Sequence, residues 1–390
     1  GEDTRHDEAY ALADQMHGVM YRDLLEADRL GNKALRLCRE LDDDYGEAEA
    51  LHNLGMWAAL AGQYRRAKEY YGAAEACYEA MGHQWDLADT QLMLAWVNVA
   101  LGELDQAERR ARAFIALLQE SEAPYYLWGA SLVVANVRMS RGQFAKASEQ
   151  MQEALAHLKE MGDQPMVAIT TSLLGHAMLH LGRYQDVERL ARTMRALAER
   201  TEQKGPFAES LLLKGQIALT QGQYGIAAEW LQASTNTYRK WGREPTGRAL
   251  AALGVTSLER GDLDQAGKHL REAIRVVVTS EDFLGKLDLL SAVALYLAVR
   301  GETERAIEVY TLATRYTYVA NSRWFEDVAG RQIATTAAQL SPDVIAAAQD
   351  RGRARDLDET VQELLLELGK ESANSGSDFK VQFPHSIGDS

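Results

Sequence analysis

The stretch Leu54-Gly55-Met56-Trp57-Ala58-Ala59-Leu60-Ala61-Gly62-Gln63-Tyr64-Arg65-Arg66-Ala67 decides how this chain is read. Its skeleton is a small residue, a glycine seven positions later, an aromatic two beyond that and an alanine three further. The glycine recurs as Gly62, Gly102, Gly142, Gly182, Gly222, Gly261 and Gly301, in steps of 40, 40, 40, 40, 39 and 40 residues. Seven residues before each stands only Gly or Ala: Gly55, Ala95, Ala135, Gly175, Gly215, Gly254 and Ala294. Pro124, Pro165, Pro206 and Pro245 keep the same beat, and each is expected at a helix start, where a missing N–H is harmless. A fixed period of this kind marks a repeat architecture.

Each unit reads as an α-hairpin. Apolar spacing from Gly46 to Ala61 is helical, Gly62 ends the helix in a left-handed conformation that glycine adopts cheaply, and Tyr64 to Met81 forms the second helix. Gly55, Ala67 and their equivalents let the helices approach closely. A single hairpin cannot bury its own apolar stripe, so neighbours must stack. The expected fold is therefore an all-α hairpin solenoid with helical caps. The division expected is a degenerate N-terminal cap over 1–45, in which 7–21 is a poor helix, and seven hairpins over 46–316. Capping helices follow over 317–369, then a flexible tail or linker over 370–390 whose Phe379-Lys380-Val381-Gln382-Phe383-Pro384 alternation is read as disorder.

Composition agrees. A length of 390 residues suggests two or three domains, but the lattice replaces them with one quasi-linear array. A formal charge of −15 opposes direct nucleic-acid binding, which needs a basic face; it reads as a solvated shell around a less charged groove. Cys38 and Cys77 are expected to be inert core thiols in a reducing cytoplasm. No apolar run approaches a membrane span, and there is no signal-peptide layout, so no membrane partner is expected. A start at Gly1 rather than Met suggests a piece of a longer polypeptide.

The motif Leu54-Gly55, Gly62, Tyr64, Ala67, continued by Tyr71 and Ala74, resembles the tetratricopeptide repeat (TPR), over about 46–316. The usual unit has about 34 residues; the longer step here resembles the C-terminal sensor regions of bacterial STAND regulators, the signal-transduction ATPases that include the maltose-regulon activator. Asp44 to Gly55 and Ser322 to Val328 look like that group. The resemblance implies a right-handed superhelix whose first helices line a concave groove. It also implies a sensor for an inducer or partner that restrains an ATPase, here an effector domain missing from the sequence at hand.

Catalytic signatures are missing: no phosphate-binding loop, G-x-S-x-G elbow, H-E-x-x-H or C-x-x-C occurs, and neither enzyme activity nor a cofactor is expected. His176 and His180 share a helix face, but too few ligands surround them for a metal. The arginines at 189, 192, 195 and 200, and at 351, 353 and 355, read as solvated helix faces. Candidate ligand-binding residues come from helical period on the groove side: His52, Met56, Trp96, Leu132, Asn136, Met139, His176, His180, Gln216 and Arg248. These columns differ from unit to unit where packing positions repeat. Their aromatic, sulfur and neutral polar character suits a peptide, a protein segment or a small-molecule inducer. Two functions are expected from this: a sensor that switches a STAND-type ATPase or transcription regulator, or a plain protein–protein interaction scaffold.

Overall fold

The computed structural model describes residues 2–119 and 124–374; the 375–390 stretch with Phe379–Pro384 lies outside the described residues. The chain forms the expected all-α TPR-like hairpin solenoid, and among the described residues there is no strand. The first hairpin is α1 (Glu2–Val19) and α2 (Leu24–Glu40). Then come α3 (Asp44–Leu60) with α4 (Tyr64–Met81), α5 (Gln84–Ala100) with α6 (Leu104–Gln119), and α7 (Pro124–Ser140) with α8 (Phe144–Met161). They are followed by α9 (Gln164–His180) with α10 (Tyr184–Thr201), α11 (Lys204–Thr220) with α12 (Tyr224–Trp241), and α13 (Gly247–Glu259) with α14 (Leu263–Ser280). The seventh repeat is α15 (Phe283–Val299) with α16 (Thr303–Thr314). Short turns α17 (Thr317–Ala320) and α18 (Arg323–Phe325) lead through a π-helical turn at Glu326–Gly330 into α19 (Arg331–Ala337), and α20 (Pro342–Ala354) and α21 (Leu357–Asn374) end the described chain.

Local chemistry sets these boundaries. At the inner turn of the first full repeat, Gly62 N–H donates to Ala59 O (3.1 Å) and Gln63 N–H to Ala58 O (2.8 Å), which caps the last carbonyls of α3. Gly62 has φ +76°, a region that costs a side chain about 1–2 kcal/mol. Asp23, Asp43, Asp163 and Asp262 cap helix starts through their carboxylates. Pro124, Pro165 and Pro206 fall in the first turn of their helices, whereas Pro245 lies just ahead of α13. A Cβ on Gly55 would meet the Tyr71 ring at 2.7 Å, so the small residue does bring α3 onto α4; at Gly175 the space saved is filled by Leu213 of the next hairpin. The 7–21 stretch is better than expected. Ala9, Leu12, Ala13 and Met16 are buried at helical spacing, and they make α1 a full partner for α2.

The first helices of successive hairpins pack on one another from α3 to α15. Their superhelix is wound so tightly that the inner-turn edge of the first half meets the outer connections of the second half. Trp241 Nε1–H donates to Met20 O (2.9 Å), and Arg65 pairs with Glu281 (2.6 Å). Phe283 lies against Gly102, Thr317 Oγ1–H donates to Arg141 O (2.8 Å), and Tyr184 donates its hydroxyl proton to Asp327 (2.7 Å). Partners across this seam stand 142 to 221 residues apart, some four to five hairpins along the chain.

Two further expectations change. Arg351 and Arg355 are not merely solvated: with Arg305 they clasp the buried Glu308 at 2.5–3.0 Å and tie α20 to α16. A carboxylate hidden on α16 requires such neighbours. Cys38 is buried, with its thiol pushed up to about 11 by that burial, whereas Cys77 is only half-buried.

Candidate binding site on the inner face

Under the seam, α9, α11, α13 and α15 each turn a polar side chain toward their common interior. His176 Nε2 on α9 lies 2.8 Å from Glu209 Oε2 on α11, and the other Glu209 oxygen accepts from the Tyr238 hydroxyl. Arg248 on α13 donates from Nε to Asp288 Oδ2 on α15 (2.7 Å). The Tyr318 hydroxyl, on α17, stands 3.4 Å from both Arg248 Nη2 and Asp288 Oδ1. His180 stacks on Phe144 (ring centroids 4.7 Å, 13°), meets the Tyr318 ring edge-on, and shares a hydrogen bond of 2.8 Å between Nδ1 and Ser322 Oγ.

Burial sets the electrostatics. It pushes His180 well below the usual histidine range, with Arg248 and His176 adding to the effect. Burial also lowers His176, helped by Arg248 and opposed by Glu209. For Glu209 burial acts upward, but the His176 hydrogen bond and the nearby Arg248 outweigh it and leave the carboxyl at about 2. For Asp288 burial prevails over Arg248 and raises it to about 6. At neutral pH both histidines are therefore neutral. Glu209 can only accept, so His176 carries its proton on Nε2, and Nδ1 is left as a bare acceptor. The expectation of a less charged groove meets one buried ion pair, Arg248 with Asp288, and one buried anion, Glu209, held by hydrogen bonds from His176 and Tyr238 with Arg248 nearby; a charge there without such partners would be too costly.

His176, His180 and Arg248 meet in this cluster, and Leu132 and Met139 are buried in the apolar shell around it. Asn136 and Gln216 occupy the His176 register on α7 and α11. His52 and Met56 lie elsewhere, in the core of the first hairpins. There His52 Nδ1 is 2.9 Å from Thr90 Oγ1, its ring meets Tyr71, and the Met56 sulfur faces the Tyr21 hydroxyl at 4.0 Å. Trp96 is half-buried where two core clusters adjoin. The ten residues thus do not form one open wall, because the 317–330 segment lies over α7, α9 and α11. Tyr238, Tyr318 and Ser322 escaped sequence reasoning. One signal was available: Arg248 and Asp288 are opposite charges one repeat step of 40 residues apart. A separate cavity of about 540 Å³ opens on the outer face between α6, α7 and α8, beside Trp128 and Arg138.

No helix among the described residues is long and apolar enough to cross a membrane. A search of curated protein sequences returns no match. Among solved structures, the chain is similar to a Rap protein complexed with Competence and Sporulation Factor (TM-score 0.52, 14% identity, covering 88% of this chain and 99% of that one). It also matches the apo quorum sensor NprR from B. thuringiensis (0.49, 13%, 79% and 87%). A third match is a STAND protein with a TPR sensor from Pyrococcus horikoshii (0.44, 15%, 90% and 50%). A general tetratricopeptide-repeat model matches residues 22–80. The model of the MalT-like TPR region matches residues 129–347, more than half of the sequence, and the chain belongs to that family.

Proposed function

We propose that this chain is a non-enzymatic sensor or interaction domain that takes up a peptide or small inducer on its inner face and thereby regulates a STAND-type ATPase or transcription regulator. One observation carries the reading. At the same register of three consecutive inner helices, Asn136 Oδ1, His176 Nδ1 and Gln216 Oε1 are buried and have no hydrogen-bond partner. Each such atom costs about 1–3 kcal/mol when left unmet, and a ligand bringing N–H or O–H donors would meet them. Family membership supports a regulatory role. The Rap protein, which shares the fold, was solved with a bound factor. Entry would require the 317–327 segment to move aside, which links occupancy to conformation.

A second reading, a scaffold that holds a partner segment without switching, is favoured by the outer cavity beside Trp128 and Arg138. Thermal-shift screening of peptides and neutral small molecules, followed by calorimetry, separates the two. An inner-face ligand should lose about tenfold or more in affinity in His176→Ala and Gln216→Leu. Unchanged affinity in both, with loss in Trp128→Ala, would sink the sensor reading in favour of the scaffold.

A further inference from the structure

The outer cavity is a departure from the repeat. It adjoins a second cavity of about 310 Å³, and the two share Ile115 on α6, Arg138 on α7 and Gln150 on α8. The same place recurs in the other units and is occupied differently there. Four residues before the repeat glycine stand Ala58, Asn98, Met178, Ala218, Ser257 and Leu297, all buried, whereas α7 carries the half-buried Arg138. Fourteen before it stand the buried Ala48, Ala88, Ala168, Ala208, Gly247 and Leu287, where α7 carries Trp128. The facing positions of neighbouring second helices show the same contrast. Glu75 pairs with Arg110 (2.9 Å), and Arg195 lies over the Trp230 ring (5.8 Å). At that register Ile115 and Gln150 leave a gap, because the Gln150 amide turns to α7: its Nε2 donates to Ser131 Oγ (2.7 Å) and its Oε1 accepts from Arg138 Nη1 (2.7 Å).

The Arg138 guanidinium lines this gap with an unmet charge. Its hydrogen bond goes to the neutral Gln150, and among the described residues no carboxylate pairs with it. The half-buried Arg110, Arg141 and Arg248 each hold a carboxylate. A cation drawn out of water without a counter-charge is costly, and a planar fork with free N–H groups is complementary to a carboxylate. Lys146 is exposed at the rim and has no carboxylate partner among the described residues either, while Glu149 and Glu153 on the same rim oppose a second negative charge. Beside the cations the lining is apolar: Ile115, Val134 and the Trp128 ring, which is stacked on His157 (ring centroids 4.1 Å, 13°).

We propose that this groove binds a small organic monocarboxylate with an aromatic or aliphatic body. The carboxylate sits on Arg138, Lys146 attracts it from the rim, and the body lies over Ile115 and Val134 toward Trp128. A cavity of about 540 Å³ is of the size that small-molecule sites have. The groove offers cations to an anion, where the inner face offers acceptors to a donor. The inference therefore rests on neither reading of the preceding section.

Calorimetry on the full chain tests it with phenylacetate, phenylbutyrate and octanoate, each against its carboxamide. At least one acid should bind at a single site, and its amide should bind at least about tenfold more weakly, because the charge-assisted pair is lost. Molar salt should weaken the acid several-fold. Arg138→Met and Trp128→Ala give α7 the residue types that the next hairpin carries at Met178 and Ala168, so both should melt within a few degrees of the parent. Arg138→Met should cost about tenfold or more in affinity for the acid, Trp128→Ala several-fold, and Lys146→Gln, at the exposed rim, a smaller loss. His176→Ala and Gln216→Leu, on the inner face, should leave that affinity unchanged. Failure of all three acids to bind, amides that bind as well as the acids, indifference to Arg138→Met, or a loss in the inner-face variants would overturn the proposal.

Discussion

Gly142 and Gly261 occupy the same place in their repeats and have nearly the same backbone, φ +68° and +77°, yet they live in different surroundings. A Cβ on Gly142 would fall 2.2 Å from the Thr317 carbonyl oxygen, whereas one on Gly261 would find nothing within 4 Å. The same contrast separates the other inner turns: Gly102 and Gly182 face Phe283 and Arg323, and Gly301 faces open space. One signature thus meets two demands. Every turn needs glycine for its conformation; the first-half turns need it also because another part of the chain lies against them.

The sharpest way to break the comparison is at the outer connections. Trp241→Ala empties a buried seam site and removes the bond to Met20 O, and it should cost about 3–5 kcal/mol in urea unfolding. Met161→Ala, at the equivalent free position, should stay within about 0.5 kcal/mol in dilute protein. Equal losses would mean that the seam contributes nothing. The glycine pair comes next. Gly261→Ala should cost the backbone strain alone, about 1–2 kcal/mol. Gly142→Ala should cost a further 1–3 kcal/mol, roughly, for overlap with Thr317, and hydrogen exchange should quicken around both 141–144 and 317–321. Exchange quickening only at 141–144 would show that the two segments are not coupled.

The smallest effect is in pH. The folded-state value of His180 lies well below the unfolded 6.5, so above pH 6.5 this group leaves stability flat. As pH falls below 6.5 the unfolded chain takes up a proton that the folded chain refuses, and stability should drop by up to about 1.4 kcal/mol per pH unit. Asp288, held near 6, works in the opposite direction from about pH 7 downward, so the difference between the parent and a His180 variant at each pH carries the test. His180→Phe should make the slope shallower by that one group's share in thermal melts at stepped pH, His176 keeping its own, whereas Val299→His, at the same place on the open edge, should add none. A slope unchanged by His180→Phe would place the titration elsewhere.

Much of the inner face was legible as a set of columns. Helical period selected His176, His180 and Arg248, which do meet, and the repeat step linked Arg248 to Asp288. It could not separate His52 and Met56 from them, since periodicity assigns a face and not a neighbour across the superhelix. Ser322 and Tyr318 were legible only as part of a decaying last repeat; their place over His180 follows from how far the superhelix has turned by then.

By itself the sequence determined the hairpin and its 40-residue period, because turn glycines, caps and helical periodicity act over a few residues at a time. Only the tertiary structure decided that the superhelix closes upon itself, which side chains share its interior and which edges stay open. Those depend on the small rotation between neighbouring hairpins, which accumulates over four to five units before residue 241 reaches residue 20, and no local signal encodes that sum.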